Sequence, residues 1–315
     1  MEDIKKIKSV NVFYPIFIIA YIGASILFAV ITQANGIVLP LWSQYVLSQM
    51  FILIPAVLYA VLFKENFPKE ISYRPLKPLD ALLSLCTGYA LVPLVLFIGN
   101  LTMLFATNYL DESANMLTQY PFAGQIVLMA VIPSIVEEFV FRGIFFHTYR
   151  RIGIFAGAVV SGLVFAVFHM NINQFCYALV VGFIFAYIAE ATGSMWSSVL
   201  AHFALNTYSL GVMALVEYLS AHSAAFKEQY ELAQSTVYDL PVSAIVSQFV
   251  MLGGAAVCFL FFAVLMIRKM AKRNGHMENI RIFNRQEKAG FKQMITWPLI
   301  VTTVCCAAYM ISMEL

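Results

Sequence analysis

An all-α fold, a polytopic helical bundle in a membrane, is what this sequence predicts, and three observations predict it. Hydrophobic residues make up 61% of the chain and charged residues 11%, with a mean hydropathy of +0.82, far from the balance of a soluble globular domain. Apolar runs of about 20 residues, the length that crosses a bilayer as a helix, recur along nearly all of the chain. These runs are continuous and do not alternate, which favours helices that satisfy their own backbone over a barrel. With no solenoid-type repeat, residues 1–315 read as a single integral-membrane domain.

Polar breaks divide the chain into spans at Val12–Thr32, Val38–Phe63, Ala81–Ala106, Phe122–Phe146, Ile152–His169, Phe175–Ala191, Met195–Leu219, Val242–Ile267 and Met294–Met313, a count of eight or nine. The first run is too long for a signal-peptide core and lacks a small-x-small cleavage site, so it reads as a retained helix. The last span stands apart, because the basic linker 268–293 precedes it. The solvated reading of that linker is a cytoplasmic loop, and the specific one is an anionic-lipid or partner site. Cys86, Cys176, Cys258, Cys305 and Cys306 all fall in spans, without metal-type spacing, and read as reduced packing residues.

Basic residues collect in cytoplasmic loops, and their placement orients the chain. With the N-terminus inside, the inner ends receive Lys5, Lys6, Lys8, Lys64, Lys69, Arg74, Lys77, Arg150, Arg151 and the eight basic residues from Arg268 to Lys292. The outer loops hold Lys227 and six acids, Asp111, Glu112, Glu217, Glu228, Glu231 and Asp239. The net charge of +2 is then a topology signal, and no nucleic-acid partner is expected.

Against this background the stretch "SIVEEFVFRG", Ser134–Gly143, is an anomaly. An ionised residue near a helix centre costs roughly 2.5–3.5 kcal/mol, so Glu137, Glu138 and Arg142 together cost on the order of 9 kcal/mol. The large apolar residues of the same span return about 0.3–0.6 kcal/mol each, roughly 7 kcal/mol in all. Such a helix must turn its charges toward other helices or a water-filled cavity. Glu138 and Arg142 are one helical turn apart and can pair, whereas Glu137 is rotated by about 100° toward a different neighbour. The bland reading is one buried ion network that holds the bundle together.

Two further polar groups weigh against the bland reading: His169 in "FAVFHM" and His202 in "LAHFALNT" both sit in apolar spans, and Asn206 shares the helix face of His202. Taken singly, a membrane histidine is a hydrogen-bonded packing residue. Together, two histidines, an amide and a carboxylate on three helices suit hydrolysis.

EExxxR at Glu137–Arg142, FxxxH at Phe165–His169 and HxxxN at His202–Asn206 resemble, in order and in helix placement, the CAAX-protease and bacteriocin-processing family of intramembrane endopeptidases. The run "TGSMWSSVLAHFALN" leading into the last motif is also similar, and the likeness covers roughly Pro133–Tyr208, within a motif-bearing core at about 121–219. The resemblance implies that Glu137 and His169 activate the attacking water while His202 and Asn206 complete the site. Amide hydrolysis needs a base for the water and a donor or Lewis acid for the oxyanion. A histidine N–H and the Asn206 amide suit the second need without a metal, the reading preferred here. Alternatively Glu137, His169 and His202 ligate a divalent ion such as zinc. No HExxH is present.

Glu138, Arg142 and Phe165 are expected to support the site, Phe165 by packing beneath His169. Glu190 either lines the site or is a snorkelling or paired carboxylate. His147 reads as interfacial, His222 and His276 as loop residues, and Pro133 as either a kink or a neutral packing proline. Counting from the inner boundaries puts His169 further outward than His202, although the two should meet; a tilt, or a start later than Ile152, would reconcile them. The expected function is endopeptidase cleavage of a membrane-associated peptide, lipidated like a CAAX tail or carrying a leader, in the lipid bilayer. The alternatives are a noncatalytic scaffold or regulator and a transporter that uses the same charges.

Overall fold

The computed structural model describes residues 2–62, 74–107, 120–236, 241–280 and 291–314. Among these residues the chain is helical, with no strand. Its long helices are α1 (Glu2–Ala34), α2 (Leu41–Leu62), α3 (Pro78–Thr102), α4 (Phe122–Tyr149), α5 (Ile154–Phe168), α6 (Ile172–Thr192), α7 (Met195–His222), α8 (Ala224–Thr236), α9 (Val242–Asn274) and α10 (Trp297–Ser312). Seven are long and apolar enough to cross a membrane, and α5 and α10 are shorter apolar helices. The expected spans are all present, with shifted ends.

Each shift has a local cause. Pro40 precedes α2, and Pro78 stands in the first turn of α3, where its missing N–H costs nothing. At Leu91 α3 is interrupted, two residues before Pro93. Helix α5 begins at Ile154, two residues later than the expected Ile152, and closes into α6 through Met170, whose positive φ of 51° turns the chain so that the Asn171 side chain caps Gln174 N at 2.8 Å. Gly193, with φ +65°, ends α6 in the left-handed conformation that glycine adopts without steric cost.

Three expectations need correction. The basic run after Ile267 is not linker from its start: Arg268, Lys269, Lys272 and Arg273 lie on the last turns of α9, because nothing there breaks the helix before Gly275. The outer segment after Leu219 likewise continues to His222 in α7 and folds into α8. Cysteines also differ from expectation, since Cys86, Cys258 and Cys305 are exposed and only Cys306 is buried. In a bundle facing lipid, outward apolar positions need no protein partner.

Basic residues from distant parts of the sequence meet at one end of the bundle. There Arg151 lies 3.6 Å from Asp3, Arg150 pairs with Glu190 at 2.7 Å, and Arg273 pairs with Asp80 at 2.9 Å. Ser194 reaches the Arg74 carbonyl at 2.6 Å, and Asn11 reaches the Met294 carbonyl at 2.7 Å. The opposite end is marked by Thr107, which bonds Glu314 at 2.9 Å and accepts from Asn171 at 3.3 Å. Lys64, Lys69, Asp111, Glu112, Asp239 and Lys288 lie outside the described residues. On a cysteine-free background, cysteines placed at Lys77 and Lys272 are therefore expected to label from one membrane face and one at Glu314 from the other. Labelling of positions 77 and 272 from opposite faces would overturn this arrangement.

The centre of the bundle is built on close helix approach. Helices α5 and α6 pack antiparallel through Gly162 and Gly182, where a Cβ at Gly182 would stand 3.0 Å from the Gly162 Cα and 2.9 Å from the Phe165 ring. Gly88 of α3 likewise admits the Ala201 carbonyl and Ala204 of α7. Helix α4 packs against α2, α5 and α7, which brings its charged face to the α5–α6–α7 core.

Candidate active site

Helix α4 is not a regular α-helix where the charges sit. Residues 127–131 and 139–146 are π-helical and flank the α-helical turns that carry Glu137 and Glu138. Such bulges leave carbonyls for other partners. Pro133 has no N–H to close an α-turn onto the Met129 carbonyl, and that carbonyl accepts the Asn206 amide at 3.2 Å. Pro133 thus acts through the backbone group it exposes. In the second bulge the Phe141 carbonyl accepts Ser161 Oγ at 2.8 Å.

Glu138 and Arg142 form the expected pair at 2.8 Å, with side chains 0% and 1% exposed. Arg142 also donates to the Gly182 carbonyl at 3.2 Å, and its guanidinium lies 4.5 Å from the Phe165 ring centroid and 5.3 Å from that of Phe185. The cation is held by one carboxylate, one carbonyl and two aromatic faces. Gly182 is what allows this approach, because a Cβ there would press on Phe165 and come within 3.4 Å of the guanidinium. Gly182→Ala is expected to destabilise the protein by about 1–3 kcal/mol, the usual range for overpacking. Thermal unfolding in detergent would check this, and an unchanged midpoint would count against it.

His202 links the two acids. Its Nδ1 donates to Glu138 Oε1 at 3.0 Å, and its Nε2 stands 3.9 Å from Glu137 Oε2. Since a carboxylate only accepts, Nδ1 carries the hydrogen and Nε2 is the nitrogen presented to Glu137. His169 is fixed in the same sense. Its Nδ1 donates to the Phe165 carbonyl at 2.8 Å, which leaves Nε2 as the uncommitted ring nitrogen. Phe165 bridges the two imidazoles, with its centroid 4.8 Å from His169 and 6.0 Å from His202, both edge-on.

The four candidate catalytic residues are thus brought to one region, although not all into contact. Glu137 faces His202; His169 reaches the cluster through Phe165 and bonds neither; Asn206 lies one turn along α7 with its amide on Met129. Burial separates roles, since Glu138, Arg142, Phe165 and His202 are buried while Glu137, His169 and Asn206 are partly exposed. The partly exposed residues are thus distinct from the buried ones packed beside them.

Sequence reasoning missed the Glu138–His202 bond and the parts played by Gly182, Phe185 and Ser161. A glycine pair in adjacent apolar spans, Gly162 and Gly182, is the one signal that hints at close helix approach. Among the described residues no three His, Cys, Asp or Glu side chains come together to hold a metal ion. The set Glu137, His169 and His202 therefore does not fit the three-ligand pattern of a catalytic zinc site as it stands, with Phe165 between the imidazoles. Glu190 does not line the cluster: it pairs with Arg150 and accepts Asn279 at 2.7 Å. His222 ends α7, and His276 packs on Gly193 and bonds the Glu190 carbonyl at 2.8 Å.

Residues 119–208 match the family described as type II CAAX prenyl endopeptidase Rce1-like. A Bacillus subtilis (strain 168) protein named "Putative membrane peptidase YdiL" is 27% identical over 84 residues, which cover 26% of this chain and 34% of that protein. The chain therefore aligns with about a third of that relative's length. No solved structure matches. The matched segment 119–208 holds all three motifs, Glu137–Arg142, Phe165–His169 and His202–Asn206, and over these residues the chain is similar to that family.

Proposed function

We propose that this protein is an intramembrane endopeptidase that hydrolyses a peptide bond in a membrane-associated substrate. The observation that carries this reading is the pairing of Glu137, partly exposed, with a His202 ring whose tautomer and orientation are set by the buried Glu138–Arg142 pair. A scaffold has no need to keep a partly exposed carboxylate beside an oriented imidazole.

In this mechanism Glu137 takes the proton of a water as the oxygen attacks the carbonyl carbon, and His169 Nε2, its other nitrogen held by Phe165, accepts a hydrogen bond from the same water. His202, in its protonated form, donates through Nε2 to the developing oxyanion while Glu138 holds Nδ1. The second Asn206 amide hydrogen joins it, the first being spent on Met129. Proton return from Glu137 to the leaving amine completes hydrolysis. The N-terminus and the basic end face the cytoplasm, and the substrate is a membrane-associated peptide, lipidated or leader-bearing.

The test is cleavage of a peptide library by purified protein in liposomes, with Glu137→Ala as control. Discrete cuts that vanish in Glu137→Ala support the proposal. Equal cleavage by both, or an unchanged cellular role of Glu137→Ala without any cleavage by the wild type, would sink it.

A further inference from the structure

Helix α6 has two different faces. Gly182 and Phe185 hold Arg142 and His202, whereas Phe183, Ile184 and Tyr187 line a cavity of about 420 Å³ that is walled on its far side by α9 and by Met277 and Ile280 just beyond that helix. That volume lies within the range of small-molecule sites, roughly 300–1,000 Å³. Of the lining residues one is charged, Arg268, which is exposed and has no ion-pair partner among the described residues.

Where the cavity opens decides what can fill it. Arg268 lies six residues before the end of α9 at Asn274, about 9 Å along the axis, and is followed by exposed Lys269 and Lys272. This is the depth at which basic side chains reach the headgroup layer. Beside the mouth, α9 exposes Phe261, Phe262, Val264 and Leu265, a surface continuous with the lipid-facing side of the helix. An apolar hollow open to hydrocarbon, with a single cation at its headgroup end, complements an amphiphile with an acyl chain and a negative phosphate.

We propose that an anionic glycerophospholipid occupies this cavity, its acyl chain between α6 and α9 and its phosphate on Arg268. Neither the substrate nor peptide hydrolysis enters this assignment. The bound lipid backs the helix whose other face carries Gly182 and Phe185.

The experiment is native mass spectrometry of the full chain after stepwise delipidation in phosphatidylglycerol or phosphatidylcholine of identical chains. Wild-type protein is expected to keep phosphatidylglycerol under conditions that strip it from Val264→Trp, which fills the mouth from a position 44% exposed. Arg268→Gln is expected to lower the preference for phosphatidylglycerol about fivefold, the effect of one basic side chain at an anionic surface. A wild-type crosslinking arm does not depend on variant folding: an acyl-chain diazirine phosphatidylglycerol should label peptides containing Ile184 and Val264. Equal retention of both lipids, equal retention by Val264→Trp, or label confined to other helices would each overturn the proposal.

Discussion

Arg142→Ala is expected to cost about 3–5 kcal/mol of stability, the range for breaking a fully buried ion pair, and to lower the folded yield. The reason is what it leaves behind. Glu138 is 0% exposed, its Oε1 receives both Arg142 and His202, and its Oε2 has no hydrogen-bond partner among the described residues. Without the guanidinium a carboxylate remains in the bundle core with its cation gone, and the faces of Phe165 and Phe185 lose the charge they flank. Glu137→Gln is the matched control, because Glu137 is partly exposed and 3.9 Å from its nearest cationic partner. It should fold normally and lose cleavage. Size-exclusion profiles and unfolding midpoints of the two variants decide the matter; a stable Arg142→Ala beside an unfolded Glu137→Gln would reverse the two roles.

Asn206→Ala is expected to lower kcat by about 100- to 1,000-fold, or about 2.7–4 kcal/mol, the effect of removing one oxyanion donor. The fold should tolerate the change, since Asn206 is partly exposed and, among the described residues, its amide makes one bond, to the Met129 carbonyl of α4. His202→Ala is the less clean test, because it also strips Glu138 of a partner, so its loss mixes stability with chemistry. Elemental analysis separates this mechanism from the zinc alternative. Near one zinc per chain in active protein, lost together with activity in His169→Ala and His202→Ala, would rule out oxyanion stabilisation by donors alone and leave the peptidase reading intact. Activity that survives chelation while Asn206→Ala is impaired would favour it.

Much of the site was legible because helix periodicity alone constrains it. Glu138 and Arg142, four residues apart, could hardly avoid each other, and they pair at 2.8 Å. Glu137 turns to a different neighbour, as a 100° rotation requires, and finds His202. What spacing did not disclose is that Glu138 serves two partners. That depends on how α7 lies beside α4, and α7 is in turn packed on α3 through Gly88 against Ala201 and Ala204, while α4 carries two bulges. Asn206 shows the same division: its register with His202 is local, whereas its bond to Met129 needs a carbonyl that Pro133 exposes on another helix.

The sequence by itself determined the class of the molecule, the approximate spans, the side on which the basic residues gather and the identity of the charged residues that must turn inward. These follow from transfer free energies and from a period of 3.6 residues, which act on each segment separately. The tertiary structure decided which atom meets which: that Nδ1 of His202 goes to Glu138 and Nε2 to Glu137, that Phe165 stands between the histidines, and that α9 continues past Arg268. Those outcomes depend on the depth and tilt of one helix against another. Depth and tilt are set by contacts between residues far apart in the chain, glycine against backbone and side chain against exposed carbonyl, which no single segment contains.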